Sequence, residues 1–309
     1  DSVGRPPETH TMTAPAAPRL LPVLALVLAT FFWGSSFLTI STALEETNPL
    51  TLVLCRFGTA AFLLAFALRG RIRAIPASTW KGGAWCGLAI YCCYTANTAG
   101  LMTIESSMSG FLTALYVPLT PFLYWIVYGR TPSKAAFAGA GLAFAGLVLL
   151  ANPFTLSLSN NWGEWVTILS ALLSAAEILI VGKFAPQAKA TELAFAQLVF
   201  VTLFAALGLA VATLAGVPLK ETVWSPVVLG SIAWLAVIVA FVQVLLAYGQ
   251  RYVPPGRACV IFAMESVFAA ALGWIVGERL GAGGLAGGLC IVGGILLSEL
   301  PALFKRKRK

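Results

Sequence analysis

Residues 106–151 read SSMSGFLTALYVPLTPFLYWIVYGRTPSKAAFAGAGLAFAGLVLLA, and residues 254–299 read PPGRACVIFAMESVFAAALGWIVGERLGAGGLAGGLCIVGGILLSE. The two stretches correspond when the chain is shifted by 148 positions. The coincident positions are Gly129 with Gly277, Gly139 with Gly287, Gly146 with Gly294, and Leu149 with Leu297. Coincident apolar residues carry little weight in a chain of this composition, whereas coincident glycines carry more. The pattern indicates an internal repeat.

A second, weaker correspondence extends the repeat toward the start of each half. NPLTLVLCRF (48–57) resembles KATELAFAQL (189–198) at a slightly different offset. We therefore divide the chain into a first five-helix repeat at 20–151 and a second at 163–304. The Pro-rich segment 1–19 is predicted to be a disordered cytoplasmic tail, with Met12 as the natural start and residues 1–11 as a remnant of expression. Residues 305–309 are predicted to be a basic cytoplasmic tail.

The composition places these repeats in a membrane. Of the 309 residues, 59% are hydrophobic and only 10% are charged, whereas a soluble domain carries about 25% charged residues. Apolar runs of about 20 residues recur, which is the length that crosses roughly 30 Å of hydrocarbon as a helix. The sequence predicts an all-α polytopic membrane protein whose ten spans are 20–44, 50–69, 81–102, 106–128, 133–151, 163–184, 191–215, 225–249, 256–276 and 282–304.

The orientation of the spans follows from the basic residues, because cytoplasmic loops are enriched in Lys and Arg. If the N-terminus is inside, 17 of the 20 basic residues lie in inner loops or tails, two lie outside (Lys220 and Arg279), and Arg56 lies within a span. Both termini are therefore predicted to be cytoplasmic. The terminal KRKRK is expected to anchor the chain near anionic lipid, and nucleic acid is not an expected partner.

An odd number of helices per repeat determines how the two halves are related. The first half enters the membrane from inside and the second from outside, so the repeats have inverted topology and are related by a pseudo-two-fold axis in the membrane plane. Secondary transporters commonly have this architecture, and they bind substrate near the midplane between the halves. We therefore expect a central cavity.

The quoted segments also resemble a known family. The chain resembles the drug/metabolite transporter superfamily, specifically its EamA-type members. The resemblance is carried by WGSSF in the first span, by the Arg in LTLVLCRFGTAAFLL, and by the C-terminal parts of the two repeats, which begin LTPFLYWIVYGR and ESVFAAALGWIVGERL. MESVFAAALGWIVGERL is similar to the family pattern E-P-V-F-A-A-L-L-G-W-x-x-x-G-E. It departs at Ser266, where Pro is usual, and by one missing residue before Gly277. Arg130 stands where the family often has Glu. The resemblance covers residues 20–300.

The resemblance implies a bacterial inner-membrane exporter or facilitator of small metabolites, with amino acids as the commonest cargo and alternating access as the mechanism. The Tyr- and Trp-rich helices are similar to those of YddG-type amino-acid exporters. Sugar phosphates, nucleotide sugars or drugs are the alternative cargoes within the superfamily. A phosphorylated cargo would require several Lys or Arg residues at the midplane, and only Arg56 is available there.

Three charged residues, Arg56, Glu177 and Glu265, lie well inside their spans, where each costs about 2.5–3.5 kcal/mol on insertion scales. Arg56 is expected either to clamp helix-end carbonyls or an acid such as Glu45 or Glu46, or to hold a substrate carboxylate. Glu177 and Glu265 are expected to face a hydrated cavity, because a dry bundle disfavours a charged acid. There they would bind a substrate ammonium or take up a proton.

Polar and aromatic side chains supply the remaining candidates for substrate binding. Tyr91, Tyr94 and Thr98 share one helix face at spacings of three and four residues. In the first span, Gly34 would let a neighbouring helix approach closely, or WGSSF would serve packing alone. Interhelical hydrogen bonding is the alternative role for the other polar faces. The full set of predicted site residues is Trp33, Ser36, Arg56, Tyr91, Tyr94, Thr98, Tyr116, Glu177, Gln243, Tyr248 and Glu265.

Other function classes are disfavoured. An intramembrane enzyme needs a nucleophile with a base, or metal ligands, at depth, yet the only His is His10 and the only Asp is Asp1. No catalytic residue, metal site or cofactor is predicted. No GxxxxGK[ST] segment occurs, so ATP-driven transport by this chain alone is not expected. The glycine-rich fifth and tenth helices have GxxxG-like spacing, which predicts scaffolding or a weak homodimer of an otherwise monomeric protein.

Overall fold

The computed structural model describes residues 20–104, 106–129, 131, 133–151, 161–275 and 282–305. Within these ranges the chain forms thirteen α-helices, two short 3-10 turns and no strand. The helices are α1 Leu20–Gly34, α2 Ser36–Leu44, α3 Pro49–Leu68, α4 Ala77–Gly100, α5 Ser106–Thr113, α6 Tyr116–Tyr128, α7 Lys134–Ala151, α8 Trp162–Phe184, α9 Ala190–Leu214, α10 Pro226–Gln250, α11 Pro255–Phe262, α12 Met264–Ile275 and α13 Ala282–Lys305. Both predicted tails, apart from Lys305, lie outside the described residues.

The described helices form ten spans, of which three consist of two helices each: α1 with α2, α5 with α6, and α11 with α12. Six spans are long and apolar enough to cross a membrane, and α7 and α13 contain shorter apolar helices. The predicted all-α, multi-pass membrane architecture is thus confirmed. The α4 helix is the most polar of the long helices because it carries Thr95, Asn97 and Thr98 among its apolar residues.

The helix ends follow local sequence signals. Asn48, Asn161 and Ser225 accept hydrogen bonds from the backbone N–H groups of Thr51, Gly163 and Val228, and so cap α3, α8 and α10. At the other end of a helix, Gly129 adopts φ 61° after α6. This left-handed conformation is open to glycine without a steric penalty, so the helix ends there.

The sequence predicts that each of the ten spans is one helix. In the structure, three of the spans are each broken into two helices. The α5–α6 break has a clear cause, because Pro118 has no N–H for the carbonyl of Ala114, which accepts from Val117 instead. The break between α11 and α12 falls at Ala263, which corresponds to Leu115 after the 148-residue shift. Ser266 takes the place of Pro118 there, and its N–H bonds to the carbonyl of Ala263.

The third break, at Ser35, lies within WGSSF. The hydroxyls of Thr30, Ser35 and Ser36 each donate to the backbone carbonyl three residues earlier, at 2.7 Å. Such local bonds compete with the helical hydrogen-bond ladder and bend helices. This break has no counterpart in the second half, where α8 is continuous.

The two halves meet most extensively where α7 packs against α13. A Cβ atom added at Gly139 would lie 2.6 Å from the carbonyl oxygen of Gly294, and one added at Gly146 would lie 2.5 Å from that of Gly287. Gly139 corresponds to Gly287 in the repeat and Gly146 to Gly294, so the two contacts are exchanged by the pseudo-two-fold axis. These glycines therefore serve packing within one chain, and the homodimer remains a prediction.

Polar contacts join the two halves at the predicted outer face. The Lys220 ammonium donates to the backbone carbonyls of Leu44 and Glu45, at the C-terminal end of α2. The Ser225 hydroxyl donates to the carboxylate of Glu46, and the Thr47 and Thr222 hydroxyls are 2.8 Å apart. The segment 45–48 is thus fastened to the segment 220–225.

The largest apolar cluster lies toward the opposite, basic-rich end of the bundle. Among its buried members are Leu26 near the start of α1, Leu246 near the end of α10, and Ile261 in α11. It brings together helices from both halves. Phe262 and Tyr116 belong to this cluster and also border the central cavity.

Candidate functional site

All three helix breaks face one cavity of about 600 Å³. Each break contributes a residue on either side: Trp33 and Ser36, Thr113 and Tyr116, Phe262 and Glu265. The remaining lining residues are Ile40, Cys93, Tyr94, Asn97, Ser174, Glu177 and Ile178. Both halves of the chain therefore contribute to the walls, and part of this space is open to solvent.

Aromatic rings form much of the apolar surface. The ring of Trp33 meets that of Phe262 edge to face, with centroids 5.8 Å apart, and lies 6.4 Å from that of Tyr94. Tyr94 in turn packs edge to face on Phe57, 5.3 Å away. These contacts hold each ring in place, so the cavity has rigid walls that present both ring faces and ring edges.

Two carboxyl groups face the cavity, and both belong to the second repeat. Glu177 lies in the middle of the unbroken helix α8 and is 6% exposed. Its Oε2 accepts a hydrogen bond of 3.1 Å from the Cys93 thiol, which is a weak donor. Glu265 is the second residue of α12, directly after the break. No Lys or Arg of the described ranges lies within 4.0 Å of either carboxylate.

Two hydroxyl groups of the lining, those of Ser36 and Thr113, are oriented by hydrogen bonds of known direction. The Thr113 hydroxyl donates to the Ser109 carbonyl at 2.7 Å, so its oxygen accepts from the Asn97 amide at 2.8 Å. The Ser36 hydroxyl donates to the Trp33 carbonyl. Because these hydroxyl protons are already engaged, Ser36 and Thr113 present acceptors to the cavity.

Arg56 lies behind the cavity wall and not in it. Its side chain is 1% exposed, and its Nη2 donates to the Thr98 hydroxyl at 3.2 Å. The guanidinium carbon is 5.1 Å from the ring centre of Phe57 and 5.3 Å from that of Tyr94. Tyr94 thus separates the guanidinium from the cavity, and the Nε of Arg56 has no hydrogen-bond partner.

Six of the eleven residues predicted from the sequence line the cavity: Trp33, Ser36, Tyr94, Tyr116, Glu177 and Glu265. The other five lie elsewhere. Arg56 and Thr98 bond to each other, and the Gln243 amide accepts from the buried Gln197 at 2.8 Å. The Tyr91 hydroxyl packs closely against Gly208, and Tyr248 packs on Tyr252 with ring centres 5.5 Å apart.

Seven lining residues are absent from the set predicted from the sequence: Ile40, Cys93, Asn97, Thr113, Ser174, Ile178 and Phe262. Three of them share a helix face with a predicted residue: Ile40 lies four residues after Ser36, Asn97 three after Tyr94, and Ser174 three before Glu177. Thr113 and Phe262 lie three residues before Tyr116 and Glu265, on the other side of a helix break. Extending each predicted residue by three and four positions along the chain would have found these five, but not Cys93 and Ile178.

The chain was compared with known proteins. A family model described as the EamA-like transporter family matches residues 20–152 and 161–300. An uncharacterized transporter of Archaeoglobus fulgidus is 30% identical over 251 residues, which are 81% of this chain and 76% of that protein. The uncharacterized inner membrane transporter YedA of Escherichia coli K12 is 26% identical over 161 residues, 50% of this chain and 51% of YedA. One protein crystal structure shares the fold, with a TM-score of 0.73 and 18% identity over 92% of this chain and 99% of that one.

Proposed function

This chain belongs to the EamA-like transporter family of the drug/metabolite superfamily, and we propose that it is a secondary transporter that exports small metabolites or facilitates their diffusion. Amino acids are the first candidate cargo, as in the YddG-type exporters. The observation that carries the proposal is the cavity that residues of both halves line and three broken helices face. Broken helices at the boundary between repeats are typical of secondary-transporter substrate sites.

The symmetry of the fold supplies a mechanism. Helix α4 packs on α8 and α9, and its counterpart in the second half, α10, packs on α1 and α3. The first of these packings is the more extensive. In an inverted repeat, exchange of the two packings closes one side of the cavity and opens the other. Alternating access therefore requires only that each half adopt the arrangement its counterpart already has.

The setting of the transporter follows from the distribution of basic residues. We place it in the bacterial inner membrane with both termini in the cytoplasm, because 17 of 20 basic residues then lie inside. A carrier of this kind needs no cofactor and catalyses no covalent step. The lipid bilayer and a small-molecule cargo are its expected partners.

The proposal is tested by uptake into proteoliposomes that contain the purified full-length chain and no ATP. The panel consists of amino acids, a sugar phosphate, a nucleotide sugar and a cationic drug, with empty liposomes as the control. Gradient-driven flux of one or more amino acids is the expected result. Exchange of the sugar phosphate alone would replace the amino-acid assignment by a phosphorylated cargo, and no flux of any compound would refute secondary transport.

A further inference from the structure

We propose that the cavity selects a cationic cargo, that is, a small organic molecule with more ammonium groups than carboxylates, such as a basic amino acid or a diamine. This inference rests on the proposed transport function and names the substrate class of the same site. It depends on the charges that face the cavity, the rings that surround them and the position of Arg56.

The lining has two acidic side chains and no described basic one. Glu177 and Glu265 face the cavity, and none of its described lining residues is Lys, Arg or His. Glu177 has only the Cys93 thiol as a described hydrogen-bond partner. A carboxylate in such a site gains most from a ligand that brings the missing positive charge and N–H donors, because charge-assisted hydrogen bonds are the strongest kind.

The aromatic walls favour the same kind of ligand. Trp33, Tyr94, Tyr116 and Phe262 line the same cavity as the two acids. The faces of these rings carry negative quadrupole charge, which attracts an ammonium group that lies within about 6 Å of the ring centre. Ser36 and Thr113 add acceptor oxygens, since their own protons are donated to backbone carbonyls. The two acids, the ring faces and the acceptor oxygens together form a site suited to a cation.

Arg56 is the group that would have made the site suitable for a zwitterion. A substrate carboxylate would need its guanidinium, yet Arg56 is 1% exposed and lies behind the Tyr94 ring, bonded to Thr98. A carboxylate placed in the cavity would face two acids and no described basic residue. We therefore expect a cargo carboxylate to be tolerated only when a second ammonium group compensates for it.

Four compounds with similar linear carbon chains separate these possibilities: L-lysine, cadaverine, L-norleucine and L-2-aminoadipate. Norleucine lacks the side-chain ammonium of lysine, cadaverine lacks its carboxylate, and aminoadipate replaces the ammonium by a second carboxylate. Binding to the purified full-length protein is measured by ligand-induced stabilisation, and flux is measured in proteoliposomes. Lysine and cadaverine should each bind at least about tenfold more tightly than norleucine, as expected for one charged hydrogen bond. Aminoadipate should not bind.

Isosteric variants connect this preference to the two acids. Glu177→Gln and Glu265→Gln should each weaken lysine binding about tenfold and norleucine binding much less. The matched control is Glu192→Gln, which removes a buried acid that pairs with Lys189 outside the cavity and should leave the ligand preference unchanged. Melting temperatures without ligand show whether each variant is folded.

The outcomes distinguish the inference from the function on which it rests. Binding of lysine and cadaverine without flux would support the cationic site and refute transport of these cargoes. Flux of norleucine or aminoadipate at least equal to that of lysine would support transport and overturn the cationic site. If none of the four compounds binds or crosses, the cationic site is refuted, and the wider proteoliposome panel described above decides separately whether other cargoes are transported. If the Gln variants retain the full preference for lysine over norleucine, the two acids are not its cause and the inference is wrong.

Discussion

The crossing of α7 and α13 can be tested by adding single methyl groups to its glycines. A Cβ at Gly139 would lie 2.6 Å from the Gly294 carbonyl oxygen and one at Gly146 would lie 2.5 Å from the Gly287 oxygen, which are 0.8 Å and 0.9 Å short of the 3.4 Å where ordinary contact begins. The opposing atoms belong to the backbone and cannot rotate away, so the helices themselves must separate.

Such overpacking costs about 1–3 kcal/mol. Gly139→Ala and Gly146→Ala should therefore lower the melting temperature by about 2–4 °C for each kcal/mol lost. Gly141→Ala is the matched control on the same helix, because nothing lies within 4 Å of its added Cβ. Alanine is the better helix former by about 1 kcal/mol, so this variant should be neutral or more stable.

The pseudo-two-fold axis extends the prediction to the second half. Gly294→Ala should behave like its counterpart Gly146→Ala, since its Cβ would lie 2.6 Å from the Gly139 carbonyl oxygen, whereas Gly288→Ala has open space around it. Apparent melting temperatures are measured in one detergent at one scan rate, because membrane-protein unfolding is often irreversible. Equal melting temperatures for all of these variants would refute the close crossing.

Three further changes test other parts of the structure. Lys220→Met should lower the free energy of unfolding by about 1 kcal/mol, because the two carbonyls at the end of α2 lose their donor. The control Lys81→Met, at an exposed position, should not. Equal melting temperatures for the two variants would show that the Lys220 contact does not stabilise the protein. Arg56→Lys should lower the melting temperature, since an ammonium cannot reproduce the stacking of a guanidinium, yet leave the ratio of lysine to norleucine flux unchanged; an altered ratio would place Arg56 at the cargo. In a cysteine-free background, an impermeant maleimide applied to intact cells should label Glu221→Cys and not Arg71→Cys, and the reverse would overturn the inverted topology.

The repeat and the class of fold could be predicted from the sequence because both depend on patterns that lipid enforces. The glycine pairs at 139, 146, 287 and 294 were visible as a shifted match, and the structure shows that they meet across the pseudo-two-fold axis. The helix breaks were only partly visible. Pro118 marks one of them, but its counterpart Ser266 gives no such signal, and the break at Ser35 depends on three back-bonding hydroxyls.

The cavity was harder to predict residue by residue. In a soluble helix the apolar face identifies the core, but in a membrane both the lipid-facing and the packed faces are apolar. Tyr91 and Tyr94 are three residues apart on α4, yet only Tyr94 lines the cavity, while Tyr91 packs on Gly208. The rotation of a helix toward the cavity, and the burial of Arg56 behind one ring, are set by the packing of neighbouring helices and not by local sequence.

The central claim, ATP-independent movement of cargo through this cavity, is tested most directly at Ser36. In a cysteine-free background, Ser36→Cys places a single thiol on the cavity wall, at the break between α1 and α2. The measurement is gradient-driven lysine flux in proteoliposomes before and after treatment with a thiol-specific reagent. We expect flux without ATP that the reagent abolishes, and excess cadaverine should protect against this loss. Flux that requires ATP, or that continues unchanged after the thiol has been modified, would contradict the central claim.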